Sequence, residues 1–386
     1  MKFFRKKRVG MLWIFWDLCD IIVSNTQWMR EMKENNVNIK NIIRITGAYI
    51  AWVIGSGFAT GQEVLQFFSS YGFQSFAVVG INLVGFILLG FLMMRAGFEN
   101  RNVSGFDHFI YFCGKKLGTG YSWLITATLL MLIPVLVSGG GATLNEYYGV
   151  PKALGSALLT VAVLTVYLIG FEKMVNIISK IGPVIILFSL TVGVISLVRD
   201  IGGWHEIQES NTILSGYRTA PNWWLSGILY LGLNFFSGST YFTQLGTSAS
   251  SEREIKFGAF IGGSVLMLCI TIMSTSIMLN GNAAAGLDIP VLYLARKISN
   301  AFGAVFSIVL VLGIFSSCSA MMWSVCRQLC VRTGKNTVTA IAVAAFGYIV
   351  SLFSFGSLIG TVYPIIGYIG SVYLMCVIWK GLRKSE

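Results

Sequence analysis

The chain has 386 residues, of which 55% are apolar and only 11% charged, and its mean hydropathy is +0.73. Soluble domains carry about 25% charged residues, so this composition excludes an ordinary soluble protein and indicates a membrane protein with several spans. The formal net charge of +12 does not imply a nucleic-acid partner. Most of the basic residues fall in segments predicted to face the anionic inner leaflet of a lipid bilayer.

Residues 1–40 form a basic and aromatic leader before the first apolar span. The stretch "MLWIFWDLCDIIV" lies within it. Asp17 and Asp20 interrupt that stretch and no small-residue cleavage site follows, so the leader does not fit a signal peptide. Two interpretations stay open, an interfacial amphipathic helix or a segment without a transport role. On the second, Met32 is an alternative start of translation, and the sequence leaves open whether it is used.

Apolar windows of about 20 residues, the length that crosses a bilayer, predict an all-α integral membrane protein with ten transmembrane helices. The predicted spans are 42–70, 73–95, 120–146, 152–170, 177–199, 222–246, 257–280, 298–326, 337–355 and 357–380. With both termini cytoplasmic, 23 of the 28 Lys and Arg residues lie on the inner side. This asymmetry fits the positive-inside rule and predicts a multi-pass protein of the cell membrane.

An internal repeat accompanies the ten spans. An offset of 181 residues maps Ser56 and Gly57 onto Ser237 and Gly238, and span one onto span six. The single transmembrane domain, residues 41–386, then divides into repeats of about 41–200 and 221–380. Each repeat holds an odd number of spans, so the second is inverted relative to the first, a 5+5 arrangement typical of transporters.

Glycines interrupt spans one and six at matching positions. Gly55 and Gly57 flank Ser56, and "NFFSGST" in span six has similar ingredients. Glycine weakens a helix by about 1 kcal/mol relative to alanine, and unwound backbone in a membrane is tolerated only beside a cavity or within protein. We therefore expect helices 1 and 6 to be discontinuous and to enclose a site for a zwitterion, with close helix packing as the alternative role of the glycines.

The string "AYIAWVIGSGFATGQEV", with "IGSGF" at its centre, resembles the putative amino acid permease family. That family is a branch of the amino acid, polyamine and organocation (APC) superfamily, which has the leucine-transporter fold. The resemblance covers about residues 40–380 and implies that the amides of Gly55, Ser56 and Gly57 hold a substrate carboxylate. It also implies that the facing half of the site is lined by Phe235, Phe236, Ser237 and Gly238. The "FFSGS" string of span six departs from the usual pattern, which leaves the substrate class open.

The same resemblance suggests how transport is coupled to an ion. Sodium-coupled relatives imply a Na+ site made by the carbonyls of Ala51 and Ile54 and the hydroxyls of Ser316 and Ser317. The serines have an alternative role in hydrogen bonds to their own helix. A proton-coupled mechanism would use Lys180, which otherwise serves as a snorkelling residue. Glu63 is the other candidate, because a carboxylate within a span is a functional hypothesis by default, although it also fits an outer vestibule.

These features predict a secondary transporter for an amino acid or related small carboxylate or organocation. A ligand-binding receptor subunit similar to those of spore germination is the alternative. With two histidines, both in loops, and seven scattered cysteines, the chain shows no motif of an enzyme or of a metal site other than Na+. We expect no cofactor beyond the coupling ion, Na+ or H+. The sequence leaves the substrate, the direction of transport and the oligomeric state open.

Overall fold

The computed structural model describes residues 38–169, 182–333 and 336–383, and the regular structure in these ranges is helical. Most of the predicted leader, including Met32, and the coupling candidate Lys180 lie outside the described residues. Apolar helices long enough to cross a bilayer dominate the described ranges. The prediction of an all-α membrane protein is therefore confirmed.

The first predicted span consists of three short helices in succession. They are α1 (Ile39–Val53), α2 (Ser56–Thr60) and α3 (Gln62–Phe67), and a 3₁₀ helix (Ser69–Gln74) follows. The Asn38 side chain caps α1 by accepting a hydrogen bond from the Lys40 amide at 3.1 Å. Gly61, at φ 86°, adopts the left-handed conformation that favours glycine and turns the chain between α2 and α3.

The other helices follow in chain order, and short connecting helices separate some of the long ones. They are α4 (Ser75–Glu99), α5 (His108–Tyr148), α6 (Lys152–Ile169), α7 (Gly182–Asp200), α8 (Glu206–Leu214), α9 (Trp223–Ser237), α10 (Ser239–Thr247), α11 (Glu252–Leu279), α12 (Gly281–Ala284), α13 (Pro290–Ile298), α14 (Asn300–Thr333), α15 (Asn336–Ser351) and α16 (Phe355–Arg383). Within the described residues, seven helices are long and apolar enough to span a membrane.

Some helices differ from the predicted spans. Helix α5 begins at His108, well before the predicted start at residue 120, and Asp107 caps it by accepting hydrogen bonds from the amides of Phe109 and Ile110. Gly114, at φ 75°, bends the chain after the first turn. The sequence around this turn contains glycines and lysines, so its hydropathy does not mark it as part of a span. Helices α8, α12 and α13 lie between the predicted spans.

Glycines bring the sixth span into the centre of the helix assembly. A methyl group at Gly232 of α9 would overlap the Gly367 carbonyl of α16, and one at Gly370 would overlap the Gly232 carbonyl. Backbones this close require small residues at the crossing, as is common between membrane helices. Helix α9 is thereby held against α16, with one face turned to the first span.

An aromatic cluster fixes the first and sixth spans against α4. Tyr49, Phe86, Phe235 and Phe242 are fully buried. The Phe235 ring lies 5.0 Å from both Phe86 and Phe242, and Tyr49 lies 5.1 Å from Phe242, measured between ring centroids. Tilted pairs at this spacing are favourable, so the cluster forms a rigid wall beside the break in the first span.

Candidate functional site: a central cavity at the broken first span

The first span is interrupted at Ile54 and Gly55. The Ile54 amide donates to Ile50 at 2.9 Å, the last bond of α1, and the Ala59 amide donates to Gly55 at 3.1 Å, the first bond of α2. Gly55 is extended, with φ −97° and ψ −160°. Because the first amides of a helix lack partners within it, the start of α2 directs N–H groups without intrahelical partners into the break.

A cavity of about 280 Å³ lies at this interruption. Its described lining comes from α1, the break, α3, α5, α9, α14 and α16: Ala51, Trp52, Val53, Gly55, Gly57, Glu63, Leu132, Leu136, Leu233, Asn234, Ser237, Ser316, Ser317, Ala320, Met321 and Tyr363. Seven of the sequence-predicted site residues therefore meet at one cavity: Ala51, Gly55, Gly57, Glu63, Ser237, Ser316 and Ser317. The lining combines apolar side chains with carboxylate, amide and hydroxyl groups.

Glu63 is the charged residue of this cavity. It is only 6% exposed, and among the lining residues that the structure describes no Lys, Arg, His or second acid accompanies it. A methyl group at Gly57 would overlap Glu63 Oε2 and lie 3.3 Å from the Tyr363 hydroxyl. The turn at Gly61 thus folds α3 back so that its carboxylate reaches the break.

The sixth span bends at Gly238 without opening a gap. Gly238 has φ −91° and ψ 3°, its amide donates to Asn234 at 2.9 Å, and its carbonyl accepts from Phe242 at 2.9 Å. A methyl group here would overlap the Trp52 indole nitrogen. Helices α9 and α10 therefore join at a kink, because the hydrogen bonds continue through it.

The predicted residues of the sixth span separate into two groups. Ser237 lines the cavity, although its hydroxyl donates to Leu233 at 2.6 Å. Phe235 packs in the aromatic cluster, and Phe236 packs against Phe109, Tyr121 and Tyr373, with ring centroids 5.5 to 5.9 Å away. Both rings are fully buried and serve packing in this conformation, in place of the predicted lining role.

The predicted sodium ligands lie on two sides of the cavity. Ala51 on α1 and Ser316 and Ser317 on α14 line it, whereas Ile54 is buried at 2% exposure. Many hydroxyls in these helices donate to the carbonyl four residues before, as Thr143 does to Gly139 at 2.7 Å. Neither Ser316 nor Ser317 makes a hydrogen bond within the described part of the chain. Their oxygen atoms are available to a ligand.

One end of the cavity is closed by a hydrogen-bond network. Gln62 donates to the Leu287 carbonyl at 2.6 Å, and Gln66 donates to Gln62 Oε1 at 3.0 Å and to the Gly356 carbonyl at 2.9 Å. The Gly356 amide donates to Asp288 at 3.1 Å. These bonds tie α3 to the segment between α12 and α13 and to the start of α16.

The opposite end of the cavity is open. Ala51 and Ala320, which line the cavity, are exposed, whereas Gln62 and Gln66 at the closed end are 2% and 3% exposed. Ala51 lies in the last turn of α1, on the N-terminal side of the break. The cavity therefore opens toward the face where α1 begins and α14 ends.

Sequence reasoning missed three polar lining residues: Trp52, Asn234 and Tyr363. Asn234 donates to the Tyr230 carbonyl at 2.9 Å, which leaves its side-chain oxygen as an acceptor. Tyr363 precedes the in-span Pro364. A hydroxyl beside a proline in the middle of an apolar span is the signal that would have found it.

No family model matches the chain. The chain is similar to uncharacterized membrane protein YkvI of Bacillus subtilis (strain 168), with 25% identity over 334 residues that cover 86% of this chain and 94% of the relative. It is also similar to uncharacterized protein YyaD of the same strain, with 21% identity over 328 residues, or 84% and 93% of the two chains.

Two solved structures are similar to this chain over most of its length. A manganese transporter of Eremococcus coleocola, solved with an aromatic bis-isothiourea substituted compound, has a TM-score of 0.50 and 14% identity, covering 85% of this chain and 75% of its own. MhsT, solved with L-phenylalanine, has a TM-score of 0.49 and 14% identity, covering 88% of each chain. The apolar helices and the membrane-protein relative show a multi-pass membrane protein, and the first likeness shows that it shares the fold of that manganese transporter.

Proposed function

We propose that the protein is a secondary active transporter that moves a small, amino-acid-like solute across the cell membrane by alternating access. The observation that carries the proposal is the cavity at the broken first span. Backbone amides without intrahelical partners meet there with the Glu63 carboxylate, the one charged group among the described lining residues. Groups of this kind are costly in a membrane unless they line a functional cavity.

The proposed architecture is a leucine-transporter-like 5+5 inverted repeat with both termini cytoplasmic. Among the described residues, the seven long apolar helices, the shorter Thr337–Ser351 and two interrupted units, α1–α3 and α9–α10, together supply ten spans. The fold shared with the manganese transporter supports this reading, and the resemblance of the first span to the APC superfamily accords with it.

The closed and open ends of the cavity support alternating access. In the proposed orientation the network of Gln62 and Gln66 seals the external side, and the opening beside Ala51 faces the cytoplasm. The structure then corresponds to an inward-open state. Transport requires that the network break and the cytoplasmic end close, so that the cavity faces one side at a time.

For coupling, we propose Na+ bound between the Ala51 carbonyl and the hydroxyls of Ser316 and Ser317. The free hydroxyls on α14 support this site. One Na+ moving down 100 mV releases about 2.3 kcal/mol, enough for roughly 50-fold accumulation. Proton coupling through Glu63 or Lys180 is the competing mechanism.

The experiment is accumulation of labelled amino acids and amines in proteoliposomes, with sodium and pH gradients imposed separately. The proposal predicts uptake above equilibrium under one of the two gradients. A sodium-driven result supports the serine site, and a proton-driven result supports Glu63 or Lys180. Saturable binding without flux under either gradient would overturn transport and favour the receptor function.

A further inference from the structure

The charge balance of the cavity points to the chemistry of the ligand. Glu63 is buried with no basic residue among the described lining residues. A buried carboxylate needs a partner of opposite charge or a proton. Since the described protein provides no cation here, the ligand is the natural source of one.

We propose that Glu63 anchors the ammonium group of the transported solute, so that the site selects small primary amines with an apolar body. This inference rests on the proposed function and specifies its substrate class. It differs from recognition of a free carboxylate at the break, because Glu63 Oε2 already lies beside Gly57. A second carboxylate at that place would be repelled.

The surrounding polar groups match an ammonium ion. An ammonium group has three N–H donors, and the acceptors that line the cavity include the Glu63 carboxylate, the Tyr363 hydroxyl and the side-chain oxygen of Asn234. Tyr230 lies beside the carboxylate, and its fully buried hydroxyl makes no hydrogen bond of normal geometry within the described chain. A bound ammonium group would donate hydrogen bonds to these acceptors.

The apolar lining residues favour an organic cation over a bare metal ion. Leu132, Leu136, Leu233 and Met321 also line the cavity and provide apolar surface for the body of the solute. No group of three or more His, Cys, Asp or Glu side chains able to hold a metal occurs among the described residues. The volume of about 280 Å³ lies just below the roughly 300–1,000 Å³ of typical ligand pockets, so the solute is small.

The test compares three ligands that share one carbon skeleton. They are 3-methylbutylamine with only the ammonium, leucine with both groups, and 4-methylpentanoate with only the carboxylate. Thermal stabilisation of the purified full chain gives the half-saturating concentration of each. We expect the value for the amine to be at least about tenfold lower than for the acid, a difference of about 1.4 kcal/mol.

Variants assign this preference to Glu63. Glu63→Gln should raise the half-saturating concentration of the amine by at least about tenfold. Glu209→Gln, the same change at an exposed position on α8, should leave it unchanged. If Glu63→Gln does not fold, Tyr363→Phe keeps the ring and removes one acceptor, and a smaller increase of about threefold is expected.

The outcomes separate this inference from the proposed function. Three results would overturn the ammonium site. The first is equal or tighter binding of the acid, and the second is no binding of any of the three ligands. The third is amine binding that is unaltered in folded Glu63→Gln or Tyr363→Phe. Uptake of other solutes into proteoliposomes would leave transport standing in each case. Conversely, Glu63-dependent amine binding without flux would support the ammonium site and count against transport.

Discussion

The breaks of the first and sixth spans contain similar residues and have different structures. At the first, Gly55 is extended, and a methyl group on it would meet only the Trp52 carbonyl, at 3.8 Å. At the sixth, Gly238 keeps its helical hydrogen bonds, and a methyl group on it would overlap Trp52. The first glycine therefore interrupts its helix beside the cavity, whereas the second permits two spans to pack closely.

The largest expected effect is at Gly57, where added side-chain atoms would displace Glu63. Gly57→Val should abolish uptake, and Gly57→Ala should lower it by about 5- to 150-fold, since overpacking costs about 1–3 kcal/mol and 1.4 kcal/mol is a factor of ten. Uptake in proteoliposomes, normalised to inserted protein, measures this. The matched control Gly55→Ala should stay within about twofold, because the added methyl group has room. Unchanged uptake by Gly57→Val would remove the first span from the site.

At the sixth span, the same substitution should affect stability. Gly238→Ala places a methyl group against Trp52 and 2.8 Å from the Asn234 carbonyl. It should lower the free energy of unfolding by about 1–3 kcal/mol, measured by denaturation of the purified protein. Gly47→Ala on α1, where nothing lies within 4 Å, should stabilise by about 1 kcal/mol. If Gly238→Ala were as stable as the native protein but inactive, the kink would be a binding site like the first break.

These comparisons indicate what the sequence could and could not predict. Apolar windows located the long helices, because hydrocarbon imposes a minimum apolar length. Glycines beside Ser56 indicated where the first span weakens. The same signal in the sixth span did not distinguish a gap from a kink, because the packing of Trp52 against Gly238 decides it. The sequence also did not place Glu63 at the break, because the left-handed turn at Gly61 is what directs α3 there.

A smaller effect is expected at the proposed sodium site. Ser317→Ala removes one oxygen ligand worth about 1 kcal/mol and should raise the half-saturating Na+ concentration by about fivefold. Sodium titration of uptake measures it. Ser307→Ala is the control on the same helix, because that hydroxyl donates to Ala304 at 2.8 Å, and its sodium response should be unaltered. An unchanged response in Ser317→Ala would shift coupling toward Glu63 or Lys180.

The smallest effect concerns the closed end of the cavity. Gln66→Leu removes two hydrogen bonds, each worth about 1 kcal/mol, one to Gln62 within α3 and one to the Gly356 carbonyl of α16. Amide hydrogen exchange at residues 285–291 should become several-fold faster, because this segment rests on Gln62 and the network around it. Gln208→Leu, at an exposed position on α8, should leave that exchange rate as it is. Equal rates in the two variants would show that the network does not close the cavity.

The most direct test of alternating access is the accessibility of a thiol inside the cavity. Ser237→Cys, in a background with the native cysteines replaced by serine or alanine, is labelled by a membrane-impermeant reagent added to one side of sealed, oriented vesicles. Without substrate or a gradient, we predict labelling from the side of the membrane on which the termini lie. When substrate and a sodium or proton gradient are supplied, we predict labelling from the opposite side as well. Labelling confined to one side under every condition would contradict transport by this cavity.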